Sequence, residues 1–389
     1  MPSPYSEEHD LFRKQVRQFA ETELAPHAEA WERDRTFPNW VFKKAGELGI
    51  LGAHYPEEVG GGGGDYWFSV VKSEELVRCE AAGVTMGLLV QSDMATPCIN
   101  ELGTAEQKEE FLKPALAGER IAALGVSEPG AGSDVAGIRT TAKKDGDDYV
   151  INGSKTYITN GTRADFVTLL VKTDPDAGYG GISILLFPTD TKGFAVSKKL
   201  EKIGNHASDT AELFFEDCRI PKRYLLGEEG KGFYYLMQNF QSERLIGATS
   251  TLAGARRALD RSVAYGKERK AFGKPIMARE VWKHTFADLY TKAEAAKSLC
   301  YETVADFNEE RYVQGTEISM ETVKKIAMCK LFVGDVANEI MDTCLQFHGG
   351  MGYLEELWVA RAWRDQRLFR IGGGTSEVMK YMIAKIMGW

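Results

Sequence analysis

From Ser6 to about Gly118 apolar positions recur at helical steps. Leu11, Phe12, Val16, Phe19, Ala20 and Leu24 follow one another at three- and four-residue intervals, which predicts one face of a long amphipathic helix. Residues 38–48 predict a second helix, with Pro38 suited to its first turn. The glycines at 60–64 predict a mobile or tightly turned loop, and helical patterning resumes at Phe68. Thr104-Ala105-Glu106-Gln107 reads as a capping box opening a helix that runs through Leu116.

From about 120 to 227 the period changes to that of strands. Apolar or alternating runs at 121–126, 148–153, 166–171, 182–187 and 211–216 are separated by Gly, Asp, Asn and Pro clusters. No long helical pattern interrupts them, so an antiparallel sheet is expected rather than a βαβ sheet. Helical patterns return at 231–267, 279–309 and 315–346, lengths that suit an antiparallel bundle of four or so helices. The expected class is α+β, mainly α. It comprises an N-terminal α-helical domain (1–119), a middle antiparallel β-domain (120–228) and a C-terminal helical bundle (229–389).

Composition narrows the functions. A chain of 389 residues has a prior of two to three domains. Its 48 Lys and Arg against 56 Asp and Glu leave −8, which argues against a nucleic-acid binder, since phosphate neutralisation needs surplus positive charge. No apolar run approaches a membrane span. The acidic opening Met1-Pro2-Ser3-Pro4-Tyr5-Ser6-Glu7-Glu8 lacks the pattern of a leader, so a cytoplasmic location is expected. The six cysteines form no CxxC pair and read as free core thiols, and the six dispersed histidines offer no zinc-site spacing, so no metal is expected.

There is no GxGxxG between a strand and a helix and no GxxxxGK[ST]. Gly130-Ala131-Gly132-Ser133-Asp134 has the wrong spacing for a serine nucleophile elbow. An enzyme built this way would draw its reactivity from a bound organic cofactor. The loop at 130–133 follows a strand and could cradle a pyrophosphate, although such a loop taken alone is more often a plain tight turn. Gly372-Gly373-Gly374-Thr375-Ser376 precedes the last helix, an anion site in principle and a flexible cap otherwise.

Six stretches carry a resemblance. They are Val126-Ser127-Glu128-Pro129-Gly130-Ala131-Gly132-Ser133-Asp134, Tyr157-Ile158-Thr159-Asn160-Gly161, Glu212-Leu213-Phe214-Phe215-Glu216-Asp217, Glu268-Arg269-Lys270-Ala271-Phe272-Gly273-Lys274, Gln346-Phe347-His348-Gly349-Gly350-Met351-Gly352-Tyr353 and Gly374-Thr375-Ser376-Glu377. In order and spacing they resemble the acyl-CoA dehydrogenase family of flavoenzymes over essentially the whole chain. The resemblance implies FAD between the β-domain and the C-terminal helices. It places Val126, Ser127, Gly132, Ser133, Tyr157, Thr159, Thr375 and Glu377 at the cofactor. Arg269, Phe272, Gln346 and Gly350 would be lent across a dimer to its adenosine diphosphate part. It further implies a homotetramer (a dimer of dimers) and an electron-transferring flavoprotein as acceptor.

The reaction implied is α,β-dehydrogenation of an acyl-CoA thioester, with a carboxylate taking the α-proton and flavin N5 the β-hydride. The family hydrogen-bonds the thioester carbonyl through one backbone N–H, here that of Gly373. Many members carry the catalytic glutamate at this position, where this chain reads Ile371-Gly372-Gly373-Gly374-Thr375. A subset resembling isovaleryl-CoA and long-chain (citronellyl-CoA-like) dehydrogenases supplies the base from the long helix after the β-domain. Gln241-Ser242-Glu243-Arg244-Leu245 matches it, so Glu243 is the expected base. A carboxylate buried beside an acyl pocket should have a raised pKa. Ser133, Arg244 and Gly372 are expected on the substrate side, Arg244 through site electrostatics or packing. The paired glycines at 372 and 373 leave room for branched or medium to long chains. An oxygen-using oxidase of the same fold, and an inactive acyl-CoA-binding scaffold, are the alternatives. His206 reads as a loop histidine with no catalytic part.

Overall fold

The computed structural model describes residues 4–389; Met1, Pro2 and Ser3, part of the acidic opening, lie outside the described residues. The first helix, Glu7–Gln18, starts at a capping box in which Ser6 and His9 satisfy one another's backbone N–H groups. It continues as a π-turned segment, Phe19–Leu24. Phe12, Val16, Phe19, Ala20 and Leu24 are buried, but Leu11 is 64 % exposed. The apolar stripe is thus narrower than expected: Leu11 is one step from Phe12, which on a helix turns it about 100° away. A short helix that the periodicity did not predict, Ala28–Asp34, follows, and the helix expected at 38–48 is Trp40–Glu47, preceded by Pro38, whose carbonyl accepts from Val41 N. The capping box at Thr104 and Gln107 forms as expected. At Gly61 a Cβ would stand 2.1 Å from the Tyr55 carbonyl oxygen, so the glycine run is a tightly packed turn and not a mobile loop.

The middle region is one eight-stranded sheet. Its strands are β1 (Ala122–Gly125), β2 (Thr141–Asp145), β3 (Asp148–Thr159), β4 (Phe166–Lys172), β5 (Ile182–Pro188), β6 (Phe194–Lys199), β7 (Thr210–Pro221) and β8 (Leu225–Leu226). The order is β6-β7-β3-β2-β4-β5-β8, with β1 also on β4. The sheet is mixed rather than wholly antiparallel, because β1 runs parallel to β4, with Ala122 opposite Phe166. The crossover that parallel pairing demands is supplied by the β2–β3 hairpin instead of a helix. Strands β2 and β6 lack an apolar alternation because most of their residues face solvent.

Helices Gly232–Glu268, Glu280–Asn308 and Met320–His348 pack as the long members of the C-terminal bundle, joined by the shorter Trp358–Gln366 and Ser376–Ile386. The 37-residue first of these crosses between two cores. Its Leu236 belongs to the β-domain core, whereas Leu245 and Ile246 belong to the bundle core. Residues 237–244 therefore sit where the two domains meet. All six cysteines are buried and free. Among the described residues no helix is long and apolar enough to cross a membrane.

Candidate active site

At this junction lies a cavity of about 1280 Å³. Val126, Ser127, Gly132, Ser133, Tyr157 and Thr159 reach it from the β-domain, Glu243 and Arg244 from the long helix, and Gly372, Gly373 and Thr375 from the loop before the last helix. Strand β1 delivers Val126 and Ser127, and the turn beyond is pinned by paired backbone bonds between Glu128 and Ala131. A register shift between Lys155 and Ile158 interrupts β3 and puts Tyr157 at φ 63. This bulge turns the ring into the cavity, where it is 71 % exposed.

Glu243 faces the 372–374 loop closely. Its Oε1 lies 3.4 Å from where a Cβ on Gly373 would stand, and Gly373 itself adopts φ 65. Its Oε2 is buried without a hydrogen-bond partner. Burial pushes the carboxyl up to about 7 against the opposing pull of Arg244 and Lys330. Both cations hold the loop by its carbonyls. Arg244 Nε donates to Gly373 O (3.2 Å), and Lys330 Nζ donates to Phe369 O (2.7 Å) and to Gly374 O. Burial lowers Lys330 to about 8. The Gly373 N–H makes no hydrogen bond among the described residues. The helix is fixed from behind, since Tyr66 Oη donates to Ser242 O and Asn239 Nδ2 to Met94 O.

Sequence reasoning missed two positioning groups. Lys155 is wholly buried and donates to Val126 O (3.0 Å) and Glu128 Oε1 (2.8 Å), while Glu128 also accepts from Arg139 N and Thr140 N. This pair clamps the loop that carries Ser127 to Ser133. The signal was a lysine sharing strand parity with the buried Tyr149 and Ile151. Lys330 could likewise have been seen as a cation within the apolar stripe of Ile326, Cys329 and Val333.

Not every expected residue lines the cavity. Glu377 is exposed in the first turn of the last helix, beside the cap that Thr375 makes to Val378 N. Arg269, Phe272, Gln346 and Gly350 all lie on the surface of the bundle, with Phe272 95 % exposed. Tyr265 and His348 stack at 4.3 Å, which sets the turns bearing these residues side by side. His206 bonds to Lys202 O from its loop, away from Glu243.

Three family profiles cover nearly the whole chain: acyl-CoA dehydrogenase N-terminal domain at 6–119, middle domain at 123–218 and C-terminal domain at 230–388. The chain belongs to the acyl-CoA dehydrogenase family. It is an oxidoreductase acting on acyl-CoA thioesters, of a family whose members carry FAD. The long-chain specific acyl-CoA dehydrogenase of Sus scrofa mitochondria is 39 % identical over 383 residues, 98 % of this chain and 86 % of the relative. The short-chain specific enzyme of Mus musculus mitochondria is 38 % identical over 379 residues, 97 % of this chain and 89 % of the relative. The crystal structure of a probable acyl-CoA dehydrogenase from Mycobacterium abscessus superposes with a TM-score of 0.93 at 39 % identity, covering 98 % of this chain and 99 % of that one. The residues fit the cofactor: Tyr157 presents an uncovered flat ring to the cavity, and nothing lies within 4 Å of a Cβ built on Gly132.

Proposed function

We propose that this chain dehydrogenates an acyl-CoA thioester to the trans-2-enoyl-CoA, with Glu243 as the base that takes the α-proton. The observation that carries this reading is the buried, partnerless carboxylate of Glu243 beside Gly373, where a second side chain is lacking. Val126, Ser127, Gly132, Ser133, Tyr157, Thr159 and Thr375 would hold the FAD. Bound FAD supplies the acceptor for the hydrogen and electron pair that leave the β-carbon.

The chain's own residues do the rest. The α-proton of a thioester is weakly acidic, so charge developing on the carbonyl oxygen needs a donor, and the free Gly373 N–H is placed to give one. Arg244 and Lys330 hold that loop in place, and their charges temper the desolvation of Glu243. A carboxyl near 7 is half ionised at neutrality, which suits a general base. Ser133 and Gly372 stand on the substrate side of the cavity.

The same reading includes a cytoplasmic enzyme of the isovaleryl-CoA or long-chain (citronellyl-CoA-like) type that prefers branched or medium to long chains. Its electrons pass to an electron-transferring flavoprotein. It is a homotetramer whose neighbouring subunits complete the cofactor site. Support for the last point is the exposure of Arg269, Phe272, Gln346 and Gly350, which a chain acting alone would leave in solvent.

The test is a visible spectrum of the holoenzyme followed anaerobically as isovaleryl-, citronellyl-, octanoyl-, palmitoyl- and butyryl-CoA are added. Wild type is expected to bleach and Glu243→Gln is not. A variant that bleaches as fast as wild type overturns the assignment of the base, and a clear preference for butyryl-CoA overturns the chain-length reading.

A further inference from the structure

The cavity runs on well beyond Glu243. In one direction the long helix lines it with Phe240, Met237 and Phe233, leading to the half-exposed Tyr179 and to Ser133 on the exposed loop, which form its mouth. In the other direction the long helix itself presents small residues, Gly247, Thr251, Gly254 and Ala258, between its larger ones. A Cβ on Gly254 would meet no atom within 4 Å. At a helical rise of about 1.5 Å per residue, Gly254 is about 17 Å and Arg257 about 21 Å beyond Glu243. An extended alkyl chain advances about 1.3 Å per carbon, so roughly 13 to 16 carbons span that distance.

This inner end is not apolar. Glu80 Oε1 accepts from Arg257 Nη2 and Arg261 Nη1, each at 3.0 Å. Glu80 holds a left-handed backbone (φ 61), a conformation that favours glycine, at the point where it anchors both arginines. The third cation, Arg361, lines the same cavity, is only 8 % exposed, and makes no hydrogen bond or ion pair among the described residues. Asp365, one turn along its helix, accepts from Asn205 N rather than from Arg361; burial and Glu32 push its carboxyl up to about 7 against the opposing pull of Asn205 N, Arg361 and Arg364. Arg257 and Arg261 thus share one carboxylate, and the Arg361 guanidinium bonds to none. A buried cation without an acceptor is costly unless a ligand supplies one. A second, polar cavity of about 480 Å³ shares Val77, Arg257 and Arg261 with this end, so a charged terminus need not be fully dried.

We propose that this end of the cavity is an anion subsite for the far terminus of the acyl chain, and that the enzyme accepts ω-carboxyl acyl-CoA thioesters of roughly 13 to 16 carbons. The proposal rests on the cavity being an acyl-CoA site. A phosphate of coenzyme A is the competing anion for these arginines. The small residues that the long helix presents between Glu243 and Arg257 leave room for an alkyl chain and favour the acyl terminus.

The probes are trans-2-hexadecenoyl-CoA and its ω-carboxyl counterpart, which cannot be dehydrogenated again at that bond, titrated calorimetrically into the holoenzyme. Wild type is expected to bind the ω-carboxyl thioester at least about tenfold more tightly. In Arg361→Met that preference should vanish, and Arg361→Lys should restore part of it. Gly254→Leu, which fills open space and favours the helix, should abolish the preference without altering an arginine. Melting temperature and flavin content identify a variant that has merely lost its fold. Equal affinities in wild type overturn the proposal. So does an Arg361→Met variant that weakens both thioesters alike, which would assign the arginines to coenzyme A. Bleaching by the saturated thioesters, read in parallel, tests the dehydrogenase reading separately: its absence with the preference intact sinks that reading and leaves the subsite standing.

Discussion

Glu243 Oε1 stands 3.4 Å from the point a Cβ of Gly373 would occupy, so a helix residue and a loop residue far apart in the chain address one small volume. A side chain reaching beyond Cβ at 373 would enter the volume that Glu243 fills. Gly373 also needs its left-handed φ of 65, which any Cβ would strain. The loop's missing carboxylate and the helix's extra one are therefore two sides of one packing constraint.

Gly373→Ala should cost about 1–2 kcal/mol in backbone strain and shift the loop whose N–H faces the site, although its Cβ would meet the Glu243 carboxylate at ordinary contact distance. The expected result is a melting temperature lower by a few degrees and a much slower bleaching by acyl-CoA. The exchange Glu243→Gly with Gly373→Glu brings a carboxylate to the same volume from the other side. It should recover part of the bleaching that Glu243→Gly alone loses, measured by anaerobic stopped-flow spectroscopy. Recovery no better than the single variant would mean that the two positions do not share a site.

The rate of bleaching should rise with pH through about 7 and level off above it, because Glu243 acts as a base only when ionised. Stability should move the opposite way. The folded value, about 7, lies above the ordinary 4.5, so the native state keeps this proton longer than the unfolded chain. Stability from this group is then greatest below the ordinary value and declines as pH rises toward 7, by up to about 3 kcal/mol. Glu243→Gln does not titrate and should be more stable than wild type at pH 8, with the gap closing in acid. Thermal melts of both proteins across that range check it.

The three-region layout was legible because hydrophobic period alone separates helices from strands, and the five apolar runs of the middle region all became strands. What was illegible depended on partners distant in sequence. The parallel pairing of β1 with β4 is invisible in either strand, since both read as buried apolar runs whichever way they point. Glu243 and Gly373 were found through the resemblance. Their closeness, and the two cations holding the loop, needed the fold. The inward Lys155 and Lys330 broke the polar-outside rule in plain view, but an inward lysine carries meaning only once its acceptors are known.

Lys155→Met should show what that inward lysine does. Removing one member of a buried pair leaves Glu128 uncompensated, at a cost of about 3–5 kcal/mol. Glu128 bonds the backbone at Arg139 and Thr140, and Lys155 bonds Val126 O, so the damage should spread along the loop lining the cavity. The purified variant should retain less flavin and melt several degrees lower. The double variant Lys155→Met, Glu128→Gln should regain part of the stability, because no buried charge is then left alone.

Tyr157 offers the reverse case, a substitution that should stabilise the empty protein while harming the site. Its φ of 63 is strained for a residue with a Cβ, and its ring is 71 % exposed, so little packing is lost when the side chain is removed. Tyr157→Gly should therefore raise the stability of the flavin-free protein by about 1 kcal/mol. The same change removes the ring that the bulge turns into the cavity. If that ring packs on the flavin, losing it should weaken FAD binding by about 1 kcal/mol, roughly fivefold. Opposite signs for melting of the flavin-free protein and for FAD affinity are expected from parallel thermal melts and flavin titrations. A variant that melts lower without flavin yet binds FAD as tightly as wild type would mean the strained bulge serves the sheet and not the cofactor.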